Sequence, residues 1–186
     1  MQDREKWNKK YRDKKYPSTP SRIVTDYFNL ATGKKALDIA AGNGRNSLFL
    51  ARQGFAVDAV DISGEGLRPI AGAHPNLHPI CADLDTFDIA GNRYDLIVNV
   101  KFLSRRLFPL IEAGLRTGGI LIFQTFLETG DPDPTTSMHR EYLLKENELL
   151  HAFSSLEMLY YNEQSNPGDD EKFALASLVA VKKAVA

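Results

Sequence analysis

The chain has few of the residues that cross-link a fold or bind a metal. Its single cysteine, Cys81, excludes an intramolecular disulfide, and its place at the end of an apolar run predicts a small buried side chain. The histidines are scattered and form no four-ligand pattern with zinc-binding spacing, so no metal site is expected. These histidines are His74, His78, His139 and His151.

Long apolar runs are also missing. No run approaches the roughly 20 residues that a membrane-spanning helix needs, and the first residues lack the apolar core of a signal peptide. We therefore expect a soluble cytoplasmic protein. A length of 186 residues with 43% hydrophobic content is enough for one sizeable core and predicts a single domain over residues 1–186.

Neither sign of charge dominates. A formal net charge of -1 gives no general reason to expect a nucleic-acid partner. The charge is nevertheless uneven, because residues 1–15 hold seven lysines or arginines against three acidic residues. This segment is interpreted as a solvated helix face or a partly ordered tail, with a partner-binding patch as the alternative.

A strand, a glycine turn and a helix follow one another over residues 36–52. Gly42 and Gly44 lack a Cβ, so the backbone can adopt positive φ there and approach a ligand closely. Ser47 stands where a third glycine completes the G-x-G-x-x-G pattern. The next two strands end in Asp61 and Asp83, which predicts three acidic side chains, with Asp38, around one crevice.

Strand and helix patterns then alternate, which is typical of a parallel sheet covered by helices. The first helix follows Pro20-Ser21 and stops near Gly33, and a pair of glycines, Gly118-Gly119, is expected to end the helix that follows the fourth strand. The predicted strands are 36–40, 55–61, 77–81, 94–100, 120–125, 156–162 and 173–182. Further helices are expected after the glycine turn, where 48–51 would face the sheet and Gln53-Gly54 would end the helix, around 64–73, near 107–115 and near 145–153. A polar turn between the last two strands makes them an antiparallel pair.

Residues that follow the fourth and fifth strands are candidates for the site, because ligands bind at the carboxyl ends of strands in open α/β sheets. Proline and turn residues predict a substrate-side loop over residues 126–142. Asn99 is expected at the rim on the cofactor side. Candidate substrate contacts are Lys101, Arg105, Arg106, His139 and Arg140, and candidate catalytic residues are Tyr11, His139, Glu141 and Tyr142.

These motifs resemble those of class I S-adenosylmethionine-dependent methyltransferases, most closely the small bacterial proteins of the tellurite-resistance-type family. The resemblance covers nearly the whole chain. It rests on Trp7-x-x-x-Tyr11, Asp38-x-x-x-Gly42-x-Gly44-Arg45-Asn46-Ser47, Asp61, Asp83-Leu84 and residues 114–119. It implies a Rossmann-like sandwich: a mostly parallel seven-stranded sheet closed by a C-terminal antiparallel hairpin, with helices on both faces.

The resemblance also implies roles for particular residues, with S-adenosylmethionine as the cofactor. The methionine end would lie against Asp38, Gly42 and Gly44; Asp61 would hold the ribose, and Asp83 with the Leu84 backbone would recognise adenine. Residues 1–19 would form an arm or lid over the cofactor with Tyr11 near the sulfonium, although Trp7 and Tyr11 are one helical turn apart and are equally interpreted as a packing pair.

The expected function is transfer of the sulfonium methyl group to a small-molecule acceptor. Acceptors that are exocyclic amines or glutamine amides are disfavoured, because strand four ends in Asn99-Val100-Lys101-Phe102 rather than in Asn/Asp-Pro-Pro-Tyr/Phe. Two alternatives stay open. A non-catalytic domain that binds S-adenosylmethionine and regulates a partner would keep every cofactor motif, and an NAD(P)-dependent oxidoreductase would explain the glycine turn and Asp61 but give Asp38 and Asp83 no role.

Overall fold

The computed structural model describes residues 2–128, 140–163 and 174–184. Seven strands form one sheet in the order β3-β2-β1-β4-β5-β7-β6. The first five pair in parallel, whereas β7 runs antiparallel to both β5 and β6. The strands are β1 Lys35–Ile39, β2 Ala56–Asp61, β3 Leu77–Cys81, β4 Tyr94–Val100, β5 Leu115–Phe126, β6 Glu157–Asn162 and β7 Leu175–Val181. The expected fold class is confirmed.

Helices cover both faces of the sheet. The helices are α1 Gln2–Asp13, α2 Arg22–Tyr27, α3 Arg45–Arg52, α4 Gly64–Leu67, α5 Leu107–Gly114 and α6 Glu148–Ala152, with 3₁₀ turns at Phe28–Leu30, Arg68–Ile70 and Arg140–Tyr142. One apolar cluster packs α5 and α6 against the sheet, and a second packs α2, α3 and α4 against the opposite face. Within the described ranges, no helix is long and apolar enough to cross a membrane.

The two central strands show why the sheet could be predicted from the sequence. Strand β1 is buried from Ala36 to Ile39, and β4 is buried at six of its seven residues. Strands that are covered on both faces need near-continuous apolar runs, and such runs are the strongest strand signal. The parallel pairing of Ile39 with Asn99 brings the carboxyl ends of these strands together. The candidate site lies at that edge.

Three sequence expectations were wrong at the level of single elements. Helix α5 ends at Gly114, not at Gly118-Gly119, because Leu115 takes an extended conformation, is fully buried and pairs with Tyr94. The two glycines lie inside β5, at an irregularity in its register with β4. The predicted helix 64–73 breaks after Leu67 into a 3₁₀ turn that contains Pro69, whose ring supplies no N–H donor.

Cys81 is the third correction. Its side chain is exposed and not a buried filler. The physical reason is that β3 is an edge strand whose residues are only partly covered, so an apolar run there does not imply burial.

Candidate cofactor site at the carboxyl edge of the sheet

The glycine turn between β1 and α3 has three residues with positive φ: Ala40 at 53°, Gly42 at 59° and Gly44 at 71°. A Cβ on Gly44 would lie 2.5 Å from two side-chain atoms of Ile70, so the turn packs directly against the 3₁₀ turn that follows α4. Glycine is required here both by the backbone conformation and by the space available. The turn is therefore closely packed, and both glycines are buried.

Asp38 is almost completely buried, with 2% of its surface exposed. Burial raises the pKa of its carboxyl group to about 7, although the hydroxyl of Ser47 donates a 2.5 Å hydrogen bond to Oδ2 and the charge of Arg45 opposes the shift. Sequence reasoning treated Ser47 only as a substitute for a third glycine. The structure shows that it orients Asp38, and the sequence carries no signal of this contact.

Asp61 joins the glycine turn to the start of α4. Its Oδ2 accepts the N–H of Gly42 at 2.8 Å, and its Oδ1 accepts the N–H of Ser63 at 2.7 Å. Burial raises the pKa of Asp61, and the two amide hydrogen bonds oppose that rise. Each carboxylate oxygen has a second acceptor site, so this structural role is compatible with a hydroxyl donor from a ligand.

Asp83 and Leu84 follow the edge strand β3. Asp83 is half-buried, and its Oδ1 accepts the N–H of Asp85 at 3.0 Å, which forms a local turn. The Leu84 side chain is buried, and its carbonyl accepts a 3.4 Å hydrogen bond from Arg106. Both residues therefore lie beside Asp61 along the carboxyl edge, as β2 and β3 pair through Asp61 and Cys81.

Asn99 is buried at the end of β4, and its Nδ2 donates to the carbonyl of Phe102 at 2.8 Å. This bond shapes the loop after β4. Lys101 within that loop has a φ of 62°, an exposed side chain and a backbone N–H that donates to the Gln124 carbonyl at 2.7 Å. The structure thus places Asn99 at the base of the crevice and Lys101 at its rim.

Arg105 is engaged in structural contacts. Its guanidinium donates to both carboxylate oxygens of Glu148, at 2.6 and 2.9 Å, and to the carbonyls of Glu141 and Leu143 at 2.9 Å each. A guanidinium has five N–H donors, and four such bonds leave it little capacity for an anionic ligand. Arg105 therefore fixes residues 141–143 to α6 rather than presenting a charge to the crevice.

Arg106 and Arg140 are also paired. Arg106 donates to the Phe87 carbonyl at 2.9 Å and to the Asp88 carboxylate at 2.8 Å, so it holds the loop after β3. Arg140 is exposed and forms an ion pair of 3.2 Å with Glu128. Candidate His139 lies outside the described residues.

Helix α1 covers the glycine turn. A Cβ on Gly42 would fall closer than van der Waals contact to the Tyr11 hydroxyl, and the Tyr11 ring also lies against Gly66. Burial raises the pKa of the Tyr11 hydroxyl, and the charge of Asp61 adds to that rise. Asn8 Oδ1 accepts the Ser63 hydroxyl at 2.7 Å, a contact that sequence reasoning missed.

Tyr142 ends the last 3₁₀ turn. About half of its surface, 47%, is exposed. Partial desolvation raises the pKa of Tyr142, and the charges of Glu141, Asp3 and Asp85 add to the rise. Negative charges from α1 and from the loop after β3 therefore act at Tyr142. Glu141 itself is exposed, with its carbonyl bound to Arg105.

The sheet order and the edge at which the glycine turn lies define the fold of class I S-adenosylmethionine-dependent methyltransferases. The crystal structure of TehB from Haemophilus influenzae matches with a TM-score of 0.77 at 23% identity, over 95% of this chain and 67% of that one. An S-adenosylmethionine-dependent methyltransferase from Mesorhizobium loti matches with a TM-score of 0.67 at 16% identity, over 86% of this chain and 96% of that one.

The family model described as tellurite resistance protein TehB matches residues 4–171, and the chain belongs to this family. The protein described as "Probable S-adenosyl-L-methionine-dependent methyltransferase TehB" of Haemophilus influenzae is 28% identical, over 93% of this chain and 66% of its own length. Demethylmenaquinone methyltransferase of Corynebacterium urealyticum is 36% identical, over 63% of this chain and 52% of its own. The chain thus spans just under two thirds of its TehB relative. The resemblance inferred from the motifs is confirmed.

Proposed function

We propose that this protein is an S-adenosylmethionine-dependent methyltransferase that acts on a small-molecule acceptor. The observation that carries the proposal is the buried carboxylate of Asp38 beside the glycine turn. Burying an ionised carboxylate costs free energy of folding unless a cation or a hydrogen-bond donor contacts it. The cofactor's methionine end supplies an ammonium group, whereas the pyrophosphate of a dinucleotide would place negative charge next to Asp38.

The residues around the turn fit this cofactor. The hydroxyl and the backbone N–H of Ser47 both hydrogen-bond to the Asp38 carboxylate, whose two oxygens have further acceptor sites for an ammonium group. Following the family resemblance, Asp61 would accept from the ribose, and Asp83 with the Leu84 backbone would contact adenine. The relatives named as methyltransferases support the same assignment. A cytoplasmic location is part of the proposal.

The bound cofactor would supply a methyl group already activated by its sulfonium. The chain's own contribution is then to align the acceptor and exclude water. Tyr11 keeps its proton at neutral pH because its pKa is raised, so it serves as a hydrogen-bond donor and not as a base. Tyr142, whose pKa is also raised, would lie at the mouth where an acceptor enters.

The acceptor is proposed to be small and not a tellurium or selenium oxyanion. Support comes from the arginines near the site: Arg105 and Arg106 are bound to Glu148 and Asp88, so neither offers an unneutralised guanidinium. The acidic residues that act at Tyr142 would add negative charge to this mouth. Both features favour a neutral or cationic acceptor over an anionic one.

Thermal unfolding with S-adenosylmethionine, S-adenosylhomocysteine, NAD and NADP tests the cofactor. A ligand at about 100 times its dissociation constant stabilises the fold by roughly 2.7 kcal/mol. We expect a shift with the two adenosyl compounds alone. Asp83→Ala is the better diagnostic variant, because it frees only the exposed Asp85 amide, whereas Asp61→Ala would free the buried Gly42 and Ser63 amides. Asp26→Ala on α2 is the matched control, and a shift with NAD or NADP alone would overturn the proposal.

Release of S-adenosylhomocysteine during incubation with panels of neutral, cationic and anionic acceptors tests the second half of the proposal. Turnover with a neutral or cationic acceptor is the expected result. Binding without turnover against every panel member would instead support the regulatory domain, and turnover confined to oxyanions would contradict the acceptor class.

A further inference from the structure

The linker between α1 and α2 is held by side chains of the glycine turn. Asn43 Nδ2 donates to the carbonyl of Pro17 at 2.9 Å, and Arg45 donates to the carbonyl of Thr19 at 3.1 Å. A second nitrogen of Arg45 donates to the hydroxyl of Ser21 at 2.8 Å. Polar groups one to three residues from Gly42 thus point away from the crevice and hold residues 17–21.

Asn46 completes this set from the first turn of α3. Its side chain is 5% exposed, and its Oδ1 accepts the backbone N–H of Ser21 at 2.8 Å. The Ser21 hydroxyl makes no capping bond to α2, although Ser21 occupies the N-cap position. That hydroxyl instead accepts the hydrogen bond from the Arg45 guanidinium. We call Asn43, Arg45 and Asn46 the linker clamp.

Helix α1 is also held by its own contacts to the start of α4. Asn8 binds Ser63 and the backbone N–H of Glu65, the latter at 3.2 Å, and Arg12 forms an ion pair of 3.7 Å with Glu65. The Tyr11 hydroxyl lies over Gly42 between these contacts and the linker clamp. The position of Tyr11 over the turn is consequently fixed from both sides, by α4 and by the turn's own side chains.

We infer that the linker clamp positions α1 over the glycine turn, so that Asn43, Arg45 and Asn46 are positioning residues for the lid and not ligands of the cofactor. The turn that would contact the cofactor through its backbone then also restrains, through its side chains, the helix that covers it. The part of this inference that concerns cofactor release rests on the proposed function. A cofactor enclosed beneath α1 leaves only when α1 moves, so the clamp controls the dissociation rate.

Trp7 provides a direct reporter, because it is the only tryptophan in the chain and lies on α1. The test compares acrylamide quenching of Trp7 in the ligand-free wild type and in a double variant, Asn43→Ala with Ser21→Ala. This pair removes two clamp bonds but keeps the charge of Arg45, which acts on Asp38. Thr25→Ala is the control, because the Thr25 hydroxyl bonds to Arg22 and Asp26 within α2 and not to the linker.

Trp7 is 36% exposed, so a released helix can raise its quenching constant by up to about threefold. We expect an increase of about twofold in the double variant and none in Thr25→Ala. Unchanged quenching in a variant that melts like the wild type would overturn the inference. Should the double variant fail to fold, the single variant Asn43→Ala at this partly exposed position gives the same comparison.

The ligand arm measures S-adenosylhomocysteine dissociation by stopped flow. We expect the double variant to release it about tenfold faster and to bind it faster as well, because a ligand that leaves only when α1 moves also enters by that movement. Equal dissociation rates would contradict the inference. Failure of the wild type to bind S-adenosylhomocysteine would overturn the proposed function instead, while the quenching comparison still decides whether the clamp positions α1.

Discussion

Replacing Asp38 by asparagine separates stability from binding. The folded chain has a pKa near 7 for this carboxyl group against an ordinary value of 3.8, so the ionised form costs about 4 kcal/mol more in the folded state than in the unfolded one. Asparagine has nearly the same shape, still accepts from Ser47 and carries no charge. The variant should therefore be more stable than the wild type wherever Asp38 is ionised.

The sign of the pH dependence follows from proton binding. Between about pH 4 and pH 7 the folded chain holds a proton on Asp38 that the unfolded chain has released, so the stabilisation is present at low pH and lost as pH rises through 7. From about pH 5 to pH 8 the wild type loses about 3 kcal/mol through this group. Asp38→Asn lacks that loss, and its advantage in melting temperature grows to the order of 10 °C at about pH 8.

Binding should respond in the opposite direction. The proposed ammonium partner requires the ionised carboxylate, so affinity of the wild type for S-adenosylhomocysteine weakens by up to about tenfold for each pH unit below 7. Asp38→Asn should bind it weakly at every pH. Calorimetric melting and isothermal titration at matched pH values measure both effects. A difference in melting temperature that is constant across pH, or tight binding by the variant, would refute the reasoning.

Three further experiments test the packing around the site. Gly44→Ala should lower the free energy of unfolding by about 2 kcal/mol or more, because the new Cβ would clash with a neighbouring side chain at a residue with positive φ. Gly54→Ala, at φ of 88° with nothing within 4 Å of the new Cβ, should lower it by only about 1 kcal/mol of backbone strain. Chemical denaturation of both variants separates the two effects. Thr125→Val should stabilise by about 1 kcal/mol, because the buried Thr125 hydroxyl has no hydrogen-bond partner in the described ranges; a loss of stability would show a hidden partner. A double-mutant cycle of Arg105→Met and Glu148→Gln should give a coupling of about 1 kcal/mol at this partly exposed pair, and a coupling near zero would argue against the bidentate contact.

The strands were predictable where burial is complete. The expected range 94–100 coincides with the buried strand β4, and the first strand is displaced by one residue. The range 77–81 also coincides with β3, although that edge strand is only partly buried. Apolar runs carry this information because both faces of the sheet are covered. The order of β6 and β7 did not follow from periodicity, since an antiparallel pair does not say which of its strands joins the sheet. The resemblance implied only that this pair closes the seven-stranded sheet, and the structure shows that β7 is the strand that pairs with β5.

The site was only partly predictable, and the reason lies in side-chain partnerships. Position along the sheet edge identified Asp38, Asp61 and Asp83, because the carboxyl ends of parallel strands meet there. The partners of charged side chains depend on loops that meet only after folding. Arg105 was therefore selected as an anion-binding candidate from its position, although Glu148, 43 residues away in the chain, binds its guanidinium.

The glycine turn shows how one short segment can carry two sets of information. The role of its glycines can be predicted from the sequence, because a backbone conformation with positive φ strongly favours glycine. Asn43 lies between the two glycines and Arg45 follows them. A polar side chain at either position can contact a ligand or the linker, so the residue type alone does not show which of the two it binds. Their bonds to Pro17, Thr19 and Ser21 resolve this choice. A mutation in this motif that weakens cofactor binding is consequently weak evidence of direct contact, and the mobility of Trp7 is the measurement that distinguishes the two causes.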